Sequence, residues 1–187
     1  MDEQLKAGLI VESKSRYVPP YFYILKKNSL LRLVQDYRKL NQVIIKDKTP
    51  LPLIRKVIDK LKEVKHFNKL DLIWRYNNVR IKEGDKWKAT FLTNKGLFEP
   101  QVMYFWLCNS PKTFQRIMNS IFQELLHEGV LANYMDNFVI PAKTMEELKE
   151  RTIRFLKIAE KHNLCFKRSK CDFNMEEILI LGVVIGK

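Results

Sequence analysis

Strand and helix signals follow one another in mixed order along this chain, and that order limits the folds open to it. Short apolar runs bounded by turn residues predict strands, and apolar residues at helical spacing predict helices. In chain order, the predicted elements are a hairpin in 17–34, a helix in 50–64, a strand at 67–73, strands at 88–93 and 97–103, a helix at about 111–128, two strands in 130–142, a helix from Thr144 to about His162 and strands in 178–186. The order predicts an α+β fold, with a largely antiparallel sheet and helices packed on one face.

The two longest predicted helices carry their own start signals. Ser110 and Pro111 suit the beginning of the first helix, and Gly129 follows it as a stop. Thr144 and Glu147 form a capping-box pattern at the start of the second. These signals place both helices independently of the apolar pattern.

Basic residues are concentrated in the first third of the chain. The formal net charge is +13; residues 1–70 hold 16 Lys/Arg against 7 Asp/Glu, and residues 71–187 hold 18 against 14. A positively charged surface of this kind fits an anionic partner, of which nucleic acid is the commonest. A Lys-rich surface that only aids solubility is the alternative on composition alone.

Other bulk features narrow the class of protein further. The three cysteines, Cys108, Cys165 and Cys171, include no metal-type CxxC pair, which favours reduced thiols. No apolar run approaches a membrane-spanning length, and the N-terminus lacks an apolar signal core. We therefore expect no membrane association and a location in the cytoplasm or nucleus.

Two aspartates lie among apolar strand residues. Asp71 lies in KLDLI and Asp136 in NYMDNFVI. A carboxylate in such surroundings is costly unless it is paired or bound to a metal. Taken singly, each also fits an ordinary strand-end or turn aspartate. If the sheet brings the two together, they form a site suited to Mg²⁺, which prefers a few carboxylates plus substrate phosphates.

Six strings, in this order and spacing, resemble the reverse transcriptase of gypsy-type LTR retrotransposons. They are VQDYRKLNQVIIKDKTPLP (34–52), FNKLDLIWRYNNVRI (67–81), WKATFLTNKGLFE (87–99), NSPKTFQRIMN (109–119), YMDN (134–137) and KRSKCDF with the following LG (167–182). The resemblance extends from about residue 17 to the C-terminus. It implies a reverse-transcriptase fingers-and-palm fold and RNA-directed DNA polymerase activity.

The resemblance also implies a metal site. The family's palm holds two Mg²⁺ on three aspartates and a backbone carbonyl, for nucleotidyl transfer. Asp71 and Asp136 match two of those aspartates, and Leu72 offers the carbonyl. Asn137 stands where the family has its third aspartate.

Further positions match the family's substrate-binding residues. The cations Lys26 or Lys27, with Arg32, match the fingers residues that hold the triphosphate of the dNTP, and Arg38 would meet template phosphates or be solvated. The remaining nucleotide-binding matches are Tyr76, which would lie under the incoming sugar, and Phe105, Gln115 and Met135, which would line the site. The implied partners are an RNA/DNA template–primer and dNTP.

Departures from the family pattern predict weak or absent activity, as in a degenerate copy. Asn137 keeps the turn preference of aspartate but removes a charge. Trp106 and Arg75 replace glycines, and Tyr104 replaces a proline. A Trp at position 106 either fills space needed by the nucleotide or template base, or stacks on a base.

The domain prediction assigns 1–70 to the fingers and a basic N-terminal part. Residues 71–187 are predicted to be mainly palm, with a fingers hairpin at about 85–103 inserted, and the expectation is that thumb, connection and RNase H are absent. The chain is either part of a longer polyprotein or a decayed remnant. The alternative functions are a catalytically dead nucleic-acid-binding remnant of a retroelement and a relic with no selected role.

Overall fold

The computed structural model describes residues 2–25, 31–62 and 64–186, and the chain forms two compact units. The first unit comprises Met1–Lys48 and Tyr76–Pro111, and the second comprises Thr49–Arg75 and Lys112–Lys187. The helices are α1 Asp2–Lys6, α2 Arg38–Val43, α3 Ile54–Asp59, α4 Ser110–Ile121, α5 Gln123–His127 and α6 Met145–Lys161. The strands are β1 Ile10–Glu12, β2 Tyr21–Leu25, β3 Leu31–Gln35, β4 His66–Asp71, β5 Phe91–Thr93, β6 Gly96–Pro100, β7 Ala132–Tyr134, β8 Asn137–Ala142, β9 Asp172–Met175, β10 Glu177–Ile180 and β11 Val183–Gly186.

The first unit is built on a three-stranded antiparallel sheet in the order β1-β6-β5. The core beside it contains Tyr37, Phe91 and Tyr104, all buried. Inside that core the Tyr37 hydroxyl donates a hydrogen bond of 2.7 Å to the Ala89 carbonyl. Because a buried hydroxyl needs such a partner, this bond fixes the position of Tyr37 in the core.

The β2–β3 hairpin belongs to the first unit and confirms the hairpin predicted in 17–34. Its strands are antiparallel, and Tyr21 pairs with Gln35 at one end while Leu25 pairs with Leu31 at the other. Lys26 and Lys27 lie outside the described residues.

The second unit contains a four-stranded antiparallel sheet in the order β7-β8-β4-β9. Successive residues of a strand face opposite sides of the sheet. On one side Phe138 of β8 meets Phe122 and Phe155, and the Phe122 and Phe155 rings stack with centroids 4.6 Å apart. On the other side Val139 and Phe67 join a core that includes residues of α3 and of the β10–β11 hairpin. Both faces of the sheet are therefore covered.

Several local predictions are confirmed. The Glu147 amide donates to the Thr144 hydroxyl at 3.2 Å, and α6 begins there as the capping box predicted. Residues 178–186 form the β10–β11 hairpin, which turns at Leu181 and Gly182 with φ of 52° and 82°. The α+β class with antiparallel strands is confirmed as well.

Two helix predictions differ from the structure. The helix expected in 50–64 covers only Ile54–Asp59, and the one expected at 111–128 is divided at Phe122 into α4 and α5. Phe122 has φ −104° and ψ 24°, outside the helical range, and its ring belongs to the Phe138–Phe155 cluster. Within the described ranges, no helix is long and apolar enough to span a membrane.

Candidate functional site

The candidate site lies in the second unit, at the end of β4 where the β7–β8 turn meets it. Asp71, the last residue of β4, pairs directly across the sheet with Asn137, the first residue of β8. Asp136 immediately precedes β8, in the two-residue turn that joins it to β7. The register therefore brings Asp71 to the Asp136–Asn137 turn, the juxtaposition on which the sequence prediction depended.

The backbone after β4 is held from both sides. The Leu72 amide donates to the Asp136 carbonyl at 3.1 Å. On the other side, the Lys167 amide donates to the Asp71 carbonyl at 3.0 Å and the Ile73 amide to the Cys165 carbonyl at 2.8 Å. In extended backbone the N–H and C=O of one residue point the same way, so the Leu72 carbonyl is directed toward the side of Asp136.

Asp136 is an almost fully buried carboxylate that is paired with an arginine. Its side chain is 3% exposed, and Oδ2 forms an ion pair with Nε of Arg75. The guanidinium charge neutralises this oxygen at short range. Burial raises the pKa of the Asp136 carboxyl above its ordinary value, the Arg75 guanidinium opposes that rise, and the charge of Asp71 adds to it.

Asp71 also has a cationic neighbour. Its Oδ1 lies 3.6 Å from Nζ of Lys170, whose side chain is 54% exposed. In the sequence, Arg75 stands out only as a lost glycine, and Lys170 does not stand out. Nothing in residue spacing marks a Lys 99 positions away as the neighbour of Asp71, so this contact was not predictable.

Gln115 and Met135, predicted to line the site, are joined to each other. The Met135 amide donates to the Gln115 Oε1 at 2.7 Å, and Met135 has a left-handed φ of 59°. The Gln115 amide nitrogen donates to Asn119 at 2.9 Å and also to Asn133. Gln115 is buried, so its described role is to fix the β7–β8 turn; its contact with a nucleotide stays a prediction.

Tyr76 and Phe105 lie in the first unit and contact each other. Their rings meet edge to face with centroids 4.9 Å apart, and Tyr76 is 7% exposed. Trp106, next to Phe105, has a φ of 76° and a half-exposed side chain. Its carbonyl accepts a hydrogen bond of 2.7 Å from the side chain of Asn41. The backbone at Trp106 is thus of the kind that glycine adopts freely.

The predicted phosphate-binding cations are only partly described. Arg38 is highly exposed and forms a two-pronged pair with Asp36, with Nε–Oδ1 at 2.9 Å and Nη2–Oδ2 at 2.6 Å. Hydrogen bonds from Arg38 lower the pKa of the Asp36 carboxyl to about 2. Arg32 pairs with Ile24 in the β2–β3 hairpin. Lys26 and Lys27 fall in the part of the chain that is not described.

The residues at the end of β4 do not fit two Mg²⁺ ions. Two dications need several anionic or carbonyl oxygens that are open to them. Here Asp136 already contacts Arg75, Asp71 has Lys170 beside it, and Asn137 supplies a neutral amide. Over residues 2–25, 31–62 and 64–186, no three His, Cys, Asp or Glu side chains cluster in a way that could hold a metal.

Relatives of this chain occur in retrotransposon polyproteins. It is 33% identical to the Transposon Tf2-7 polyprotein and 32% identical to the Transposon Tf2-3 polyprotein of Schizosaccharomyces pombe, in each case over all 187 residues. The chain spans 14% of the length of these relatives.

Solved structures share the fold. The foamy viral protease–reverse transcriptase in complex with double-stranded DNA superposes with a TM-score of 0.92 at 19% identity, over 99% of this chain and 32% of that one. The same viral enzyme in complex with an RNA/DNA hybrid gives a TM-score of 0.91 at 19% identity, over 99% of this chain and 25% of that one. Residues 24–185 match the family described as reverse transcriptase (RNA-dependent DNA polymerase). The chain therefore belongs to the reverse transcriptase family.

Proposed function

We propose that this chain is the fingers-and-palm part of a gypsy-type RNA-directed DNA polymerase, and that its nucleotidyl transfer is weak or absent as encoded. The proposed partners are an RNA/DNA template–primer and dNTP. The observation that carries the proposal is the register that sets Asp71 opposite Asn137 and beside Asp136. That register gathers the three positions at which the family has aspartates, and one of them holds an amide.

The weakness has an electrostatic cause at Asn137. If Asp71, Asp136 and the Leu72 carbonyl held Mg²⁺, the metal would supply activation of the primer 3′-hydroxyl and neutralisation of the leaving pyrophosphate. The loss of one carboxylate lowers the negative charge available to hold two dications. Because the residues present do not fit two ions, we assign this chain's own side chains only the roles of binding and orienting substrates. The use of Mg²⁺ by a repaired site is part of the proposal.

A second cause of the weak activity is the positioning of the reacting groups rather than the charge of the site. Trp106 replaces a family glycine and presents a large, half-exposed side chain. By the resemblance, this segment faces the nucleotide, and an added side chain there costs alignment of the reacting groups. Tyr76 and Phe105, which pack edge to face in the same unit, would form the aromatic surface under the sugar.

The proposal also includes a larger context. The curated relatives are polyproteins much longer than this chain. We propose that the chain acts, or once acted, as part of such a polyprotein, with further segments supplying the remaining contacts to template and primer.

Primer extension tests the proposal directly. The encoded chain and an Asn137→Asp, Trp106→Gly double variant are compared on an RNA template with a DNA primer, with protein in excess, in Mg²⁺ and in Mn²⁺. We expect the encoded chain to be at least about 100-fold slower, which corresponds to a barrier difference of about 2.7 kcal/mol. The single variants are included, because two changes that affect the same reaction need not be additive.

The control is an Asp71→Ala change in the double variant, which should abolish extension while hybrid binding, followed by fluorescence anisotropy, persists. Equal extension rates for the encoded and double-variant chains would show a competent polymerase and overturn the claim of weakness. Binding without extension in every variant would identify the chain as a nucleic-acid-binding remnant. Loss of both binding and extension would reject the proposal as a whole.

A further inference from the structure

Each of the two carboxylates at the end of β4 has a cationic side chain beside it. Arg75 contacts Asp136, and Lys170 lies 3.6 Å from Asp71. Counted as formal charges, the two carboxylates and the two cations sum to zero. A site that is to attract divalent cations carries a negative excess instead, so residues of the chain itself have neutralised the local charge.

The two contacts are unequal. The Asp136 side chain is 3% exposed and the Arg75 side chain is 42% exposed, so water screens this pair only in part. At Asp71 the carboxylate is 16% exposed, but Lys170 is 54% exposed and its Nζ stands at a longer distance. Since screening weakens exposed pairs, Arg75 contributes more to neutralising the site than Lys170 does.

The backbone explains how Arg75 reaches Asp136. Trp74 and Arg75 have φ of 63° and 36°, two consecutive left-handed residues that follow the end of β4 after Leu72 and Ile73. With this backbone, the Arg75 guanidinium contacts Asp136 next to the β7–β8 turn. Left-handed backbone is costly for residues with a Cβ, and a glycine at position 75 would adopt it without strain and leave Asp136 unpaired.

We propose that Arg75 is the built-in counter-cation of Asp136, taking the place of a divalent metal and competing with one for this end of β4. The inference rests on the proposed function, because that function supplies the expectation of a metal. It goes beyond Asn137: even when the missing carboxylate is restored, a metal must displace Arg75 from Asp136, so the restored site binds the metal less tightly than it would without the arginine. We therefore expect the second unit of the encoded chain to be equally stable with and without divalent cations.

Metal binding is measured with Mn²⁺ by electron paramagnetic resonance, without nucleic acid or nucleotide. The encoded chain, Asn137→Asp, Arg75→Gly and the Arg75→Gly, Asn137→Asp double variant are compared. Arg80→Gly, which removes an exposed arginine of the first unit, is the matched control for loss of one positive charge.

We expect the double variant to bind one Mn²⁺ at least about tenfold more tightly than either the encoded chain or Asn137→Asp alone, because it removes a resident cation and adds a ligand. Arg80→Gly should behave as the encoded chain does. A single Mn²⁺ bound by the encoded chain as tightly as by the double variant would overturn the proposal.

A thermal-unfolding arm covers the case in which Arg75→Gly impairs folding. Removing the arginine leaves a buried carboxylate unpaired, so Tm should fall by several degrees and Mn²⁺ should restore it. The Arg75→Gly, Asp136→Asn variant should recover Tm without metal and should not respond to Mn²⁺. Failure of Asp136→Asn to rescue Arg75→Gly would show that Arg75 does not act through Asp136. Neither arm uses primer extension, so this proposal and the proposed function can fail separately.

Discussion

At the scale of single residues, the most informative departures from expectation are backbone angles. Trp106, Arg75 and Met135 all adopt left-handed φ, at 76°, 36° and 59°. For L-residues this region costs roughly 1–2 kcal/mol. Two of the three, Trp106 and Arg75, stand where the resemblance expects glycine. These two substitutions therefore strain the backbone and also add side chains.

Trp106→Gly should raise the free energy of unfolding by about 1 kcal/mol. The change relieves the strain at φ 76°, while the half-exposed indole contributes limited packing. The hydrogen bond from Asn41 is kept, because it is accepted by the backbone carbonyl. Urea unfolding followed by circular dichroism measures the difference.

The matched control is Trp87→Gly. Trp87 is similarly exposed but lies in the short helix Lys86–Ala89, outside the left-handed region. There glycine should lower the free energy of unfolding by about 0.5–1 kcal/mol. The same sign for both substitutions would contradict the strain argument.

Alkaline pH should destabilise the first unit through its buried tyrosines. Burial raises the pKa of Tyr104 to about 12 and that of Tyr37 further still. A raised pKa in the folded chain means that the protonated hydroxyl favours the fold. This stability is complete below the ordinary tyrosine pKa of about 10 and is lost as pH rises from there toward about 12, at up to about 1.4 kcal/mol per pH unit for each group.

Urea unfolding at pH 8 to 11 tests this dependence, with Tyr37→Phe as the comparison. The phenylalanine variant loses the hydrogen bond to Ala89 and is less stable at pH 8. Its stability should nevertheless fall less steeply between pH 10 and 11 than that of the encoded chain. Parallel pH profiles would show that Tyr37 does not titrate on unfolding in this range.

At the scale of secondary-structure elements, local chemistry was predictable and tertiary contacts were not. The capping box at Thr144 and the strands in 178–186 were predictable from the sequence because each is set by a few neighbouring residues. The division of one predicted helix at Phe122 was missed. The apolar spacing continues unbroken through the break, which is accompanied by the tertiary packing of Phe122 against Phe138 and Phe155.

At the candidate site, too, part of the structure was predictable from the sequence and part was not. Two aspartates in apolar segments predicted adjacent strand ends, and the β4–β8 register sets Asp71 beside the Asp136 turn. The contact of Arg75 with Asp136 was not predictable, because it depends on two left-handed residues in a row. No sequence rule assigns that backbone to Trp-Arg, and most residues of either type avoid it.

Gln115→Leu should destabilise the β7–β8 turn and lower the free energy of unfolding by about 1–3 kcal/mol. The substitution removes the acceptor of the Met135 amide and two donated bonds, and it leaves part-buried polar groups unsatisfied. Chemical unfolding measures the loss. Gln123→Leu, at an exposed position of α5, is the matched control, with an expected effect within about 0.5 kcal/mol. Equal effects would mean that Gln115 does not support the turn.

At the scale of the whole molecule, the basic part of the sequence does not coincide with either compact unit. Most of the excess of basic residues, +9 of the total +13, falls in 1–70, whereas the compact units each combine two stretches of chain. Each unit has its own apolar core, one around Tyr37 and Phe91 and the other around Phe67 and Val139. The assignment of fingers to 1–70 and palm to 71–187 stays a prediction.

Binding to nucleic acid should be sensitive to salt and independent of sequence. Phosphate contacts by Lys and Arg release counterions, so affinity falls as salt rises, with a slope set by the number of contacts. With 16 Lys/Arg in residues 1–70, we expect a loss of at least about tenfold in affinity between 50 and 200 mM salt. Fluorescence anisotropy with two unrelated duplex sequences measures it. An affinity that does not change over this range would contradict a phosphate-binding surface.

The hydrogen bond from the Leu72 amide to the Asp136 carbonyl makes one proton a reporter on the site. That amide exchanges with solvent deuterium only when the turn separates from the end of β4. In a nuclear magnetic resonance spectrum, its exchange rate would register opening of the turn without substrate, metal or turnover. Arg75→Gly should accelerate exchange at Leu72 more than at Phe138 inside β8, so the junction can be observed even if the chain never extends a primer.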